Sequence, residues 1–368
     1  VTRRKTPGYL LELRLALEKV CILDYLSHMR FRSILFLAVA MLAALFTACR
    51  QTRPPAPPSK VFQEVPPKVG IALGGGGARG FAEVGVLRVL EQERIPIDMV
   101  AGTSVGSLIG ALYCDNGSVV DLEFTSVKVE AEDLFDYSTL SIFSGGFVKG
   151  ERLEAFLEAN LKHKNIEAFR IPFAAVAVEL RTGGTTAFLQ GNAARAVHAS
   201  AAIPGVFVPV QIEGRTYVDG GVADPVPVDV VRRMGAEVVI AVPISRGVPS
   251  KTPQNPIEIS LQTVAIMASE IEQCRLHEAD VVIAPDVGTV GFDDFSKKRQ
   301  LFEAGMKAAR EALPRIREAI AAKTRRVIIE AGEGGIPLPP REMNSRGATL
   351  SPHGSHPVLD QSLQAGRD

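Results

Sequence analysis

A chain of 368 residues has room for one large domain or two small ones. Its 41 Lys and Arg balance 41 Asp and Glu, and a neutral chain gives no electrostatic case for nucleic acid, which excludes that class of partner. Four cysteines without paired spacing (Cys21, Cys49, Cys114, Cys274) and six scattered histidines argue against a disulfide framework and against a Cys/His metal site.

In chain order, Met29-Arg-Phe-Arg opens a short basic segment, and residues 33–48 are an almost unbroken apolar run. That run is short for a membrane span and has the length of a signal-peptide core. It ends in Leu45-Phe-Thr-Ala-Cys49, which resembles the bacterial lipoprotein box, where a cysteine after small residues is lipidated and becomes the new N-terminus. Phe46 stands where Leu is usual. The alternative is an ordinary secretory signal or anchor with an incidental cysteine. Residues 1–28 read as an upstream extension, with translation starting at Met29, and 29–48 as the signal peptide. The expected location is the bacterial cell envelope, with the chain held to a membrane by lipid on Cys49. Residues 49–67 contain a dense proline cluster, which favours an extended, semi-rigid tether.

The body is expected over residues 68–323, and 324–368 as a low-complexity, disordered tail rich in Gly, Pro, Ser and charge. Apolar strands are predicted at Val69–Leu73, Ile97–Ala101, Phe173–Glu179, Thr185–Leu189, Val238–Val242 and Val281–Ala284. Helical patterns fall at Phe81–Glu93, Val105–Cys114, Ala193–Ala202, Leu261–His277 and Lys297–Ala321. Glu213-Gly-Arg between Val210–Ile212 and Thr216–Val218 predicts a tight hairpin. Alternating strands and helices imply an α/β fold with a mainly parallel central sheet covered by helices on both faces. Residues 122–150, with four phenylalanines, read as a cap beside a site or as hydrophobic filler.

Two glycine motifs carry the chemistry. Gly102-Thr-Ser-Val-Gly106 follows a strand and opens a helix, the setting in which Ser104 becomes an exposed nucleophile. Gly102 and Gly106 stand where side chains would clash in so sharp a turn. Gly74-Gly-Gly-Gly-Ala-Arg-Gly80 also joins a strand to a helix. As an oxyanion hole, the amides of Gly75, Gly76 and Gly77 would face a tetrahedral intermediate, each donor contributing about 3 kcal/mol in the transition state. As a dinucleotide fingerprint, Gly75-x-Gly77-x-x-Gly80 also fits, with Asp98 as the ribose acid. A P-loop is excluded, because no Lys-Ser/Thr follows.

A serine nucleophile needs a proton acceptor. Asp219 ends a predicted strand in Tyr217-Val-Asp-Gly-Gly-Val. A triad in the order serine, acid, histidine requires a later histidine, and His277 is the one candidate in the body. His163 and His198 precede the acid. Asp224 before Pro225 reads as a helix cap. Arg79 reads as a support for the glycine loop, with an anionic substrate as the second choice.

Together these blocks resemble the patatin-like phospholipases. Gly75-Gly-Gly-Ala78-Arg79-Gly80, Gly102-Thr103-Ser104-Val105-Gly106 and Asp219-Gly220-Gly221 look like the family's signatures in its order, over about residues 68–290. Ala199–Phe207 and Asp224–Pro227 are similar to further family segments. Gly221 departs slightly, since Ala is frequent there. The resemblance implies a three-layer patatin-like fold and a Ser104–Asp219 dyad without histidine. It makes residues 75–77 the oxyanion loop, with the Val105 amide a lesser candidate. It further implies hydrolysis of lipid esters without a metal or organic cofactor, and it leaves protein partners open. The rival readings are a nucleotide-binding oxidoreductase and a non-catalytic envelope scaffold.

Overall fold

The computed structural model describes residues 35–44, 61–136, 148–245, 253–254, 256–291 and 294–329. The chain divides into two units, Val1–Val61 with Ile328–Pro340 and Phe62–Val327 with Arg341–Asp368. In the first, residues 35–44 form helix α1 with exposed side chains. Among the described residues, no helix is long and apolar enough to cross a membrane. Cys49, Phe143, Phe147 and half of the expected signal peptide lie outside the described residues.

Strand β1 (Val61–Val65) precedes β2 (Val69–Leu73), a 3-10 turn at Gly77–Gly80 and helix α2 (Phe81–Gln92). Next come β3 (Met99–Thr103), α3 (Val105–Asn116), α4 (Val119–Lys128), the short α5 (Ala131–Leu134) and α6 (Glu151–Asn160). The chain continues through β4 (Phe173–Glu179), β5 (Thr185–Phe188), α7 (Ala193–Ser200), β6 (Val210–Ile212) and β7 (Arg215–Asp219). It goes on with α8 (Val228–Arg233), β8 (Val238–Val242) and α9 (Pro256–Leu276). The last elements are β9 (Val281–Val282), α10 (Lys298–Lys323) and β10 (Arg325–Ile329).

Strands β2, β4 and β8 occupy the apolar runs that predicted them. The hairpin forms as expected: Ile212 pairs with Arg215, and Glu213 and Gly214 have φ of 50° and 76°. Positive φ at both central residues gives the strand twist that a two-residue loop requires. The body extends further than expected at each end. β1 lies inside the expected tether and β10 inside the expected tail, and the two form a sheet of their own. Their Val and Ile residues suit strand pairing better than solvent.

The main sheet has the order β6-β7-β4-β3-β2-β8-β9, with β5 also on β4. Strands β4, β3, β2, β8 and β9 run parallel, while β5, β6 and β7 join antiparallel. Successive side chains feed two cores, as strand geometry dictates. Val69, Ile71, Leu73, Val238, Ile240 and Val242 face a core shared with α2, α3 and α10. Ala72, Ala101, Val176, Val239 and Ala241 face a second core with Val228, Val230 and Val231 of α8. The result is a three-layer α/β/α arrangement.

Helices α2 and α10 cross at glycines. A Cβ on Gly85 would overlap the Phe302 carbonyl, and one on Gly305 would overlap that of Ala82. Gly305→Val should therefore force the helices apart and destabilise the fold by on the order of 3 kcal/mol. Thermal unfolding would register this as a drop in Tm of several degrees.

Candidate active site

Ser104 lies between β3 and α3 with φ 56° and ψ −126°, a conformation that strains any residue with a side chain. Several bonds over-determine it. The Ser104 N–H donates to Ser200 Oγ at 3.0 Å, and Ser200 Oγ in turn donates to the Val176 carbonyl at 2.6 Å. The Ser104 carbonyl accepts from the Ser107 hydroxyl at 2.6 Å. Thr103 Oγ1 donates to the Asp224 carbonyl at 2.8 Å. A Cβ on Gly102 would overlap the Gly106 carbonyl, and one on Gly106 would lie 2.5 Å from the Leu73 carbonyl. The two glycines of the motif are therefore steric requirements.

The register brings Asp219 to this serine. On β4, Thr103 aligns with Val176 and Asp219 with the next residue, Ala177. Because β5 pairs with residues 175–178 of β4, β3 and β7 share the opposite edge, and their C-terminal ends meet there. Gly220 lets the chain leave that junction, since a Cβ would overlap the Val176 carbonyl. Asp219 is 5% exposed and Ser104 7%. The carboxyl accepts from the Gly221 amide at 2.7 Å and from the Ser104 hydroxyl. Burial pushes it up to about 6, against the lowering effect of those two donors.

The glycine loop passes the same point, and a Cβ on Gly75 would lie 3.3 Å from Ser104 Cβ. The Gly74 amide donates to Glu83 Oε1 at 2.8 Å, and the Gly75 amide to the Pro225 carbonyl at 3.0 Å. The expectation of three oxyanion donors is corrected at this point, because Gly75 is already engaged. Among the described residues, the amides of Gly76, Gly77 and Val105 have no partner. Gly77 takes φ 59°. Arg79 Nε donates to the Gly76 carbonyl at 2.9 Å and its charge acts on Glu272, so the arginine braces the loop. Ala78 is buried, and Gly80 packs on Val105, where a Cβ would meet Cγ2 at 2.5 Å.

Above Ser104 opens a cavity that is partly continuous with solvent. Leu108 and Leu112 of α3, with Phe135, Leu153, Phe156 and Phe207, give it apolar walls, and no charged residue lines it among the described residues. Within residues 122–150, Phe135 lines this cavity and also joins the main core, whereas Phe124 is exposed.

The described histidines of the body are engaged elsewhere or exposed. His163 Nδ1 lies 2.7 Å from Asp115, His198 Nδ1 lies 2.6 Å from Glu154, and His277 is exposed just beyond α9. Asp98 accepts from the Val69 amide at 2.6 Å, at the opposite end of β2 from the glycine loop. That placement removes the ribose acid from the dinucleotide reading. Asp224 does not cap a helix: α8 begins after Pro227 with no side-chain cap. Among the described residues, no cluster of three His, Cys, Asp or Glu side chains could hold a metal ion.

Residues 71–232, which include the serine turn, the acid and the whole glycine loop, match the family model described as Patatin-like phospholipase. Over that span the chain is similar to the patatin-like phospholipases. An uncharacterised NTE family protein of Mycobacterium tuberculosis is 32% identical over 179 residues, covering 49% of this chain and 49% of the relative. Lysophospholipase NTE1 of Coccidioides immitis is 27% identical over 300 residues, covering 73% of this chain and 18% of the relative. The chain therefore spans about half the length of the former and under a fifth of the latter. VipD from Legionella pneumophila is similar with a TM-score of 0.40 and 13% identity, over 75% of this chain and 72% of that one.

Ser200 and Glu83 were not singled out from the sequence. Ser200 lies inside the Ala199–Phe207 segment, so the family resemblance was its one available signal. Ser200→Ala should leave the Ser104 amide and the Val176 carbonyl short of a partner. The expected loss is about 1–3 kcal/mol, read by denaturant unfolding.

Proposed function

We propose that this protein is a serine acyl hydrolase that cleaves fatty-acyl esters of lipids, phospholipids included. The observation that carries the reading is a strained serine hydroxyl bonded to a buried aspartate at the base of an apolar cavity. The family match and the fungal relatives named as lysophospholipases support it.

In the proposed cycle, Ser104 Oγ attacks the ester carbonyl carbon as Asp219 takes the hydroxyl proton. The amides of Gly76 and Gly77 donate to the oxyanion, with the Val105 amide beside them. Collapse of the intermediate breaks the C–O bond, and the alcohol leaves with the proton from Asp219. Water then attacks the acyl-enzyme, giving its proton to Asp219, and the fatty acid departs as Ser104 is reprotonated. An ordinary aspartate is a poor base near neutrality. Burial brings Asp219 closer to the range where proton transfer is efficient.

Ser104→Ala and Asp219→Asn should each lower kcat on a p-nitrophenyl ester about a thousandfold, and the double variant should be barely slower than either. Full activity of either single variant would overturn the dyad, and absence of ester hydrolysis by wild type would leave the scaffold reading. The wild-type rate should rise with pH through about 6 as Asp219 loses its proton. A raised carboxyl adds stability that is complete below its unfolded value and is lost as pH rises through about 6. Asp219→Asn should therefore unfold no earlier than wild type at pH 7, which separates lost chemistry from lost folding.

The cavity walls suit an acyl chain, and Leu112 belongs to them. Leu112→Trp should depress turnover of long-chain esters more than that of short ones, measured as the ratio of kcat/KM across a chain-length series. The proposed setting is the bacterial cell envelope, with Cys49 lipidated. That rests on the apolar run and small residues before the cysteine. Mass spectrometry of the mature chain should find a diacylated Cys49 at the N-terminus, and an unmodified cysteine would remove the anchor while leaving the hydrolase reading intact.

A further inference from the structure

Beyond the serine and its base, the core holds a second acid pair. Asp224 is fully buried, and neither of its carboxyl oxygens has a donor among the described residues. The same holds for Oδ1 of Asp229. The two side chains are in hydrogen-bond contact with each other. Two carboxylates in contact, Asp224 buried and Asp229 partly exposed, repel, whereas one proton between them turns the contact into a strong, charge-assisted bond. The cations around the pair leave that proton in place. Arg275 of α9 stands 4.0 Å from Asp224 Oδ1, beyond hydrogen-bond range, and also faces Glu278 at 3.7 Å. Arg233 of α8 bonds Oδ2 of Asp229.

The backbone beside this pair carries both catalytic loops. The Asp224 carbonyl accepts from Thr103 Oγ1, next to the nucleophile. The Pro225 carbonyl accepts from the Gly75 amide of the glycine loop, and the Asp224 amide closes the turn onto Gly220, next to the base. We propose that Asp224 is a positioning residue. Its carboxyl shares one proton with Asp229, and this pair pins residues 224–225 so that the Ser104 turn, the glycine loop and Asp219 keep a common geometry. The effect on turnover rests on the hydrolase reading above, whereas the shared proton does not.

Burial, and then Asp229, push the Asp224 carboxyl up to about 8, while Arg275 and Arg233 oppose them. Against its own burial, Arg233 and Asp224 hold Asp229 below its ordinary value. The pair therefore keeps its proton at neutral pH and loses it as pH rises through about 8. Because the Asp224 value is raised, its contribution to stability is complete at acid pH and is lost over that same rise.

The test compares wild type, Asp224→Asn and Asp224→Ala by kcat and KM on a short p-nitrophenyl ester, by thermal unfolding and by infrared titration. Wild-type kcat should fall reversibly above about pH 8. Asp224→Asn, which keeps a donor to Asp229 but cannot lose it, should hold its kcat to about pH 9. Asp224→Ala should lower kcat about tenfold at pH 7 with KM changed less than about twofold, and Asn should restore most of that loss. The infrared spectrum of wild type should lose one protonated-carboxyl band near pH 8, and Asp224→Asn should lack that band. An alkaline fall unchanged in Asp224→Asn, or a spectrum without that titrating band, would overturn the proposal. If wild type hydrolyses no ester, the function proposed above fails, and the infrared titration still decides whether the proton is shared.

Discussion

Two strand ends meet on one edge of β4, and the rest of the site depends on that junction. Parallel β3 arrives from one direction and ends at Thr103 opposite Val176. Antiparallel β7 arrives from the other and ends at Asp219 opposite Ala177. Hydrogen-bond register is discrete, so the two termini are placed to within one residue by backbone bonding alone. Ser104, one residue past the first terminus, and Asp219 at the second are then adjacent without any long side chain reaching across. The same crowding explains the small residues nearby. Gly102, Gly106 and Gly220 pass where a Cβ would strike a carbonyl, and Ser200 fits its hydroxyl between the Ser104 amide and the Val176 carbonyl.

This arrangement is energetically unfavourable in itself. A non-glycine residue at φ 56° costs about 1–3 kcal/mol. Raising a carboxyl from 3.8 to about 6 costs on the order of 3 kcal/mol at neutral pH. The two cores on either face of the sheet supply the compensation, because all residues of β3 and β4 and the last three of β7 are buried. The faces also divide the labour. The side covered by α2, α3 and α10 opens into the apolar cavity, whereas the side covered by α8 and α9 carries the Asp224–Asp229 pair.

The chemistry of the site therefore comes from burial more than from ion pairing. Asp219 has no cation among its hydrogen-bond partners and Asp224 has none within bonding distance, so desolvation dominates both. Glu83 is a third case: it is fully buried, is raised well above its ordinary value by burial, and takes the Gly74 amide at the root of the glycine loop.

Much of this was legible in the chain itself. The runs at Val69–Leu73, Phe173–Glu179 and Val238–Val242 are apolar and β-branched, so local pattern was enough to make them strands. Glu213-Gly214 specified its own hairpin through backbone freedom, and glycines at 102, 106, 220 and 221 marked where chains must pass closely. Local pattern did not reveal β1 and β10, because each exists by pairing with a strand at the far end of the sequence. It also made Asp224 a helix cap, since a buried partner on α8 and a cation on α9 leave no trace beside Pro225. By itself the sequence determined which candidate residues stand in which turns, because those are properties of neighbouring side chains and backbone sterics. The tertiary structure alone decided their surroundings: which acid meets Ser104, that Gly75 is engaged with Pro225, and that His163, His198 and His277 are placed elsewhere. Those outcomes depend on sheet register and on burial, and both arise only when distant segments pack together.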